Sequence, residues 1–186
     1  MKLLKILGPM LTALILAAPV QAAQTAADGK GDMVKLGKIT PNGPYRFWAA
    51  INKVLPDYAA VTGGAELHAQ VKTLSAHPAA GRTPGDVMVQ TAEFRDLLEI
   101  LRRRLKLAKI EIYKDPLGRA VTPGVVLANA GFNMDALVET YRAAAKKPEE
   151  SLGHFYDVPV MNGKSPSDVY GLVELATRRL RLIQGS

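Results

Sequence analysis

Cysteine is absent from all 186 residues. That absence removes disulfides, thiolate nucleophiles, cysteine-held zinc and iron–sulfur clusters, and also the lipid-bearing cysteine of a bacterial lipoprotein. Histidine is scarce, with only His68, His77 and His154, and no two of these have the i, i+4 spacing of a helical metal site. There is no Gly-x-Ser-x-Gly nucleophile elbow and no phosphate-cradling glycine loop. These absences predict no cofactor and no metal. A hydrolase or lyase would have to be assembled from dispersed residues, with His154, Asp157, His68 and Glu66 as the nameable candidates.

Long apolar runs are lacking too. The longest, Ile6 to Val20, is broken by Gly8, Pro9 and Thr12, and at about 15 residues it is shorter than the ~20 that span a bilayer. Lys2 and Lys5 precede it, and it closes on Val20-Gln21-Ala22 with residues a signal peptidase accepts. Residues 1–22 therefore read as a cleaved export signal, and the mature chain is expected to run from Ala23, in the periplasm first and the medium second. Within the lead of residues 23–40, Asp28-Gly29-Lys30-Gly31-Asp32 loosely resembles the start of a calcium loop, but Met33 and Ile39 stand where glycine and glutamate belong. A flexible segment is the expectation there.

With 24 Lys and Arg against 17 Asp and Glu the net charge is +7. Loss of Lys2 and Lys5, with no acid before Asp28, leaves +5 (7 − 2). A moderate positive charge favours an acidic envelope protein or anionic lipid as partner through steering. An exported protein has no expected business with nucleic acid.

Four hydroxyl–proline pairs punctuate the rest: Thr40-Pro41, Thr83-Pro84, Thr122-Pro123 and Ser165-Pro166. A Ser or Thr N-cap followed by proline at the first helical position starts a helix, because the cap accepts an orphan N–H and proline lacks one to orphan. Asp86 and Asp168 add the acid of a capping box. Apolar residues then recur at helical spacing: Phe94, Leu98, Leu101 and Leu105 after Pro84, and Val173, Ala176, Leu180 and Ile183 after Pro166. Tyr45, Phe47, Trp48, Ile51, Val54 and Leu55 follow Pro41 and stop before Pro56; Val125 to Tyr141 follow Pro123 more raggedly. The expected fold is mainly α, a compact single domain over 41–186 with principal helices near 44–58, 84–108, 123–147 and 166–183. A short helix from Ala65 to Ser75 is added, neighbours are antiparallel, and Ile110–Tyr113 reads as one strand of a short pair before a turn at 115–118. The match between the second and fourth starts suggests an internal duplication.

Three clusters are candidate partner- or ligand-binding sites. Arg102, Arg103, Arg104 and Lys106 crowd the end of the second long helix, where they could dock an anion or merely offset the helix dipole. Arg178, Arg179 and Arg181 take the corresponding place in the last helix. His154, Phe155 and Tyr156 form an aromatic patch in a Gly- and Pro-rich connector, and Trp48 offers an apolar pocket between helices for a small-ligand carrier. The sequence thus points to a non-enzymatic exported binding protein, with the carrier and the enzyme as alternatives.

Overall fold

The computed structural model describes residues 39–114, 118, 120–146 and 152–186. The export signal, the calcium-like stretch and most of the turn at 115–118 lie outside them. Among the described residues four helices dominate: α1 (Asn42–Thr73), α2 (Pro84–Arg104), α3 (Pro123–Ala145) and α4 (Pro166–Gln184), with a 3₁₀ turn at Gly153–Phe155. No strand occurs among the described residues.

The four helix starts meet. Pro41, Pro84, Pro123 and Pro166, together with Pro44, Val87, Val126 and Val169 one turn on, surround a single small apolar space. Cross-contacts then keep step along the bundle. Gly43 lies against Leu127 near the starts, Asn52 meets Arg179 in the middle, and Arg102 meets Thr140 near the far end. All four helices therefore run in the same direction. This corrects the antiparallel expectation, and the reason lies in the connectors. Residues 74–83, extended at about 3.3 Å each, reach about 33 Å, while the 21 residues of α2 rise about 31 Å. Each connector is long enough to carry the chain back to the starting end.

The first return begins inside α1. Gly64 has φ 76° and ψ −167°, outside helical space and open to glycine alone at low cost. A Cβ on Gly63 would lie 2.9 Å from Leu67 Cβ, closer than the two can approach, so the bend favours glycine at both positions. Beyond it the expected short helix is present as the tail of α1, and Arg179 bonds both Asn52 and Leu74. Leu74 has thus come back to the level of Asn52, so the chain doubles back at Gly64. Upstream, the helix runs through Pro56 rather than ending before it.

The returning segments lie along the helices and are held by side chains, not by sheet pairing. Arg178 Nη2 donates to the Ser75 carbonyl at 2.6 Å, and the Arg82 N–H donates to Ser167 Oγ at 3.0 Å. The Asn129 amide donates to the Tyr113 carbonyl at 3.0 Å and accepts from its N–H at 3.2 Å, which imitates one step of a β-ladder. Arg46 and Lys53 donate to the carbonyls of Val158 and Asp157 at 3.0 and 2.7 Å. Extended backbone must satisfy its polar groups somewhere, and these long side chains replace a neighbouring strand. That is why Ile110–Tyr113 has strand-like alternation without being a strand: Ile110 is buried, and residues 111–113 face solvent. The α2–α4 interface is bridged by side chains directly, through Gln90 with Thr177, Glu93 with Arg181, and Gln184 with the Leu97 carbonyl.

The core follows the sequence stripes. Trp48, Ile51, Val54, Leu55, Phe94, Leu98, Leu101, Met134, Leu137, Val173, Ala176, Leu180 and Ile183 are buried, while Leu105 is only half-buried. Thr83, Thr122 and Ser165 cap their helices as expected, whereas Thr40 does not: α1 has Pro41 itself at the N-cap position and no side-chain capping bond. Thr83 and Ser165 accept from the N–H of Asp86 and Asp168, whose carboxylates accept back from the cap N–H at 2.8 Å in each case. Bonds from the Ser165 side chain and backbone hold the Asp168 carboxyl below its ordinary 3.8; for Asp86 the Thr83 backbone bond comes first. A depressed carboxylate pKa gives stability that is complete above the unfolded value and lost as pH falls through the folded one. Ser165→Ala is expected to cost about 1 kcal/mol near pH 7, and the deficit relative to wild type should shrink below pH 4. Denaturant midpoints measured at both pH values check this, and a deficit unchanged in acid would show that the carboxylate plays no part.

Candidate functional site at the C-terminal end of the bundle

Because the helices are parallel, the late turns of α2 and α3 lie side by side at the end opposite the prolines. Arg102 lies between them. Its side chain is 3 % exposed; Nη1 reaches the Ala136 carbonyl (2.8 Å) and Thr140 Oγ1 (3.2 Å). Nε and Nη2 reach the Ala108 carbonyl, and Nη2 also pairs with Glu139 at 2.6 Å. This arginine fastens the second return to α3, its guanidinium engaged by Ala108, Ala136, Thr140 and Glu139 rather than presented beside the exposed Arg103 and Arg104.

Its neighbours behave differently. Arg103, Arg104 and Lys106 are exposed, as are Lys109, Arg142 and Lys146. Arg104 is close enough to Tyr58 to oppose the rise that burial imposes on the Tyr58 phenol. The end of α2 is a full Schellman motif: the Lys106 N–H bonds the Arg103 carbonyl and the Leu107 N–H bonds that of Arg102. Its left-handed position is Lys106, with φ 59°. At the end of α3 the left-handed residue is Lys146, at φ 55°, whose N–H bonds the Arg142 carbonyl. Glycine is the residue that takes this conformation without a Cβ penalty of about 1 kcal/mol. Lysine stands in both places.

Helix dipoles explain part of this charge. A helix C-terminus carries about half an elementary charge of negative sign, so α2 and α3 together call for about one cation. Among the described residues Arg103, Arg104, Lys106 and Lys146 exceed that, while Glu139 is paired with Arg102 and Lys109 shares a depression with Glu111 and Asp135. The surplus and the left-handed lysines coincide. Lys106→Gly with Lys146→Gly is therefore expected to hold or raise the melting temperature by a few degrees while removing two charges. Calorimetry checks this, and a fall of several degrees would mean that the lysines are there for the fold.

The other proposed residues disperse. Arg178 pairs with Glu174 and Ser75, and Arg181 with Glu93. Arg179 is buried, and that burial, aided by the Arg178 charge, lowers its pKa. Trp48 is 0 % exposed and packs edge-on to Phe94 at 5.1 Å, so it belongs to the core rather than to an open pocket. Its neighbour Phe47 lines an open groove with Gly43, Arg46, Ala50, Leu127 and Tyr156. In the aromatic patch, Phe155 is buried against Tyr141 and His154, while Tyr156 is exposed at its edge and donates to Asp135 at 2.7 Å. Burial, then that bond and charge, raise the Tyr156 pKa.

The Asp157 N–H bonds the His154 carbonyl at 3.3 Å, but among the described residues no side-chain hydrogen bond or ion pair joins His154, Asp157, His68 and Glu66, and Glu66 instead accepts from Gln70. No group of three or more His, Asp or Glu among the described residues could hold a metal ion, and no described helix is long and apolar enough to cross a membrane. Lys146, Arg142 and the left-handed backbone were missed in the sequence because their significance depends on which helix ends lie together. Compared with known proteins, the chain matches no protein family, no curated protein and no solved structure.

Proposed function

We propose that this is an exported, non-enzymatic binding protein that docks through the basic end of its bundle onto an anionic component of the cell envelope. The observation that carries the reading is the grouping, among the described residues, of exposed Arg103, Arg104, Lys106 and Lys146 at the adjoining ends of α2 and α3, more than two helix dipoles demand, with lysine at both left-handed positions. Buried Arg102 fixes the geometry of that end without taking part in contact. Export rests on the amino-terminal pattern of two lysines, an apolar stretch and Val20-Gln21-Ala22.

The test is charge reversal at Arg103 and Arg104, which are exposed and make no hydrogen bond or ion pair through their side chains among the described residues. Wild type should be retained on envelope fractions at low salt and released as ionic strength shortens the ~10 Å screening length. The doubly reversed chain should pass through with its melting temperature within a few degrees of wild type. Equal retention of both would sink the proposal. A small-ligand carrier is the second reading, favoured by the groove of Phe47, Leu127, Arg46 and Tyr156. A co-purified ligand in native mass spectrometry, lost on Phe47→Ala, is its signature.

A further inference from the structure

Resting on the carrier reading, the second of the two just given, we infer that the groove between α1 and α3 takes a single-chain amphiphilic anion, an aliphatic carboxylate of medium length. The groove is lined by Gly43, Arg46, Phe47, Ala50, Leu127 and Tyr156. Phe47, Ala50 and Leu127 give it an apolar floor, and Arg46 is the one charged side chain in its lining. A lining whose only charge is positive selects an anion, and the apolar floor selects one with a hydrocarbon body. Nη2 of Arg46 donates to the Val158 carbonyl at 3.0 Å. Its Nε and Nη1 have no hydrogen-bond partner among the described residues, so two donors of the guanidinium stay open to a carboxylate. The Tyr156 hydroxyl donates to Asp135 at 2.7 Å, which fixes the ring as a wall. Gly43 and Ala50 lie seven residues apart on α1, a span of about 10 Å that suits an extended chain rather than a compact ring.

Small residues on the two helices shape the floor. A Cβ on Gly43 would lie 3.1 Å from Leu127 Cδ1, so glycine lets that leucine close the seam near the helix starts. A Cβ on Gly131 would lie 4.0 Å from Phe47 Cζ, which shows that the Phe47 ring reaches across to α3 and lies along the groove. The third return supplies the remaining wall. Arg46 and Lys53 hold the carbonyls of Val158 and Asp157, and Tyr156 is tied to α3 through Asp135. All three walls are fastened by bonds that need no ligand, so the groove is formed in advance. Arg46 therefore has two tasks: it anchors the third return, and it offers its open edge to the carboxylate.

Titration calorimetry of the protein isolated from cells and cleared of bound ligand tests the inference. The probes are hexanoate, octanoate, decanoate, decanol and decyltrimethylammonium, each below its micelle concentration. Affinity for the carboxylates should rise about twofold per added methylene, half the free energy of full burial because the groove is open on one side. Decanol should bind about fivefold more weakly than decanoate, the worth of a partly exposed ion pair, and the ammonium more weakly still. Arg46→Gln keeps a donor for the Val158 carbonyl and removes the charge. It should bring decanoate down to the level of decanol and leave decanol unchanged, whereas a merely structural loss would weaken both alike. Should that chain fail to fold, the comparison of decanoate with decanol on the wild type decides by itself. Decanol binding as tightly as decanoate would overturn the anion and leave the carrier reading standing. A preference for decanoate that survives in folded Arg46→Gln would place the anion elsewhere and overturn the assignment to this groove. Binding of none of the probes would overturn the inference, and the carrier reading falls with it unless native mass spectrometry still finds a co-purified ligand that Phe47→Ala removes.

Discussion

Replacing Arg179 by methionine should destabilise the protein by about 3 kcal/mol, and Pro56→Ala in the same chain should restore about 1 kcal/mol of that loss. Pro56 has no N–H, so the Asn52 carbonyl one turn before it lacks its helical donor. Arg179 supplies one: Nη1 donates to the Asn52 carbonyl at 2.8 Å and to its side-chain oxygen at 3.2 Å, while Nη2 donates to the Leu74 carbonyl at 2.8 Å. The Asn52 amide continues the network, donating to the carbonyls of Trp48 and Leu172 at 2.9 Å. A single guanidinium thus mends the proline defect in α1, caps the returned tail of α1 and joins both to α4. Methionine keeps the stem's packing but leaves buried acceptors unpaired, at about 1–3 kcal/mol each.

Alanine at position 56 returns the missing N–H, and that donor matters more once Arg179 is gone. The double-mutant cycle should therefore show coupling of about 1 kcal/mol by denaturant unfolding. In a chain of this size 3 kcal/mol corresponds to roughly 10 °C in melting temperature. A loss under about 1 kcal/mol, or additive single changes, would mean that water satisfies these carbonyls and that Arg179 is not the fastener.

The second large effect separates Arg102 from its neighbours. Arg102→Met is expected to lower stability by about 3 kcal/mol, because it removes both guanidinium bonds to the Ala108 carbonyl, unfastens the second return from α3 and leaves Glu139 without its partner. The surviving folded molecules should still be retained on envelope fractions. Reversal of Arg103 and Arg104 should do the opposite, keeping the melting temperature and losing that retention. Three consecutive arginines would then divide into one that builds the end of the bundle and two that use it. If Arg102→Met left stability intact and abolished binding, the burial of its guanidinium would be the wrong description.

Helix identity and position were legible in the residues because their causes are local. A hydroxyl cap, a first-turn proline and a three-four apolar rhythm each act within a turn or two, and Thr83, Thr122 and Ser165 cap helices in the expected way. Most of the core was legible for the same reason, from Trp48 and Phe94 through Leu180. Direction was not. Nothing within α2 or α3 states whether its neighbour runs with it or against it, and that choice rests on connectors whose polar backbone is satisfied by Arg46, Asn129 and Arg178 from distant helices.

The same division holds for the candidate site. The chain by itself determined where α2, α3 and α4 begin, which stripe each buries and that the charge is positive, since all of these follow from short-range sterics, hydrogen bonding and composition. Only the tertiary structure decided that the helices are parallel, that Pro56 is tolerated, that Arg102 and Arg179 are buried fasteners, and that Lys106 and Lys146 share an exposed end with Arg103 and Arg104. Those outcomes depend on which distant groups approach within hydrogen-bonding or Coulombic reach, a property of the packed molecule that no local window of residues contains.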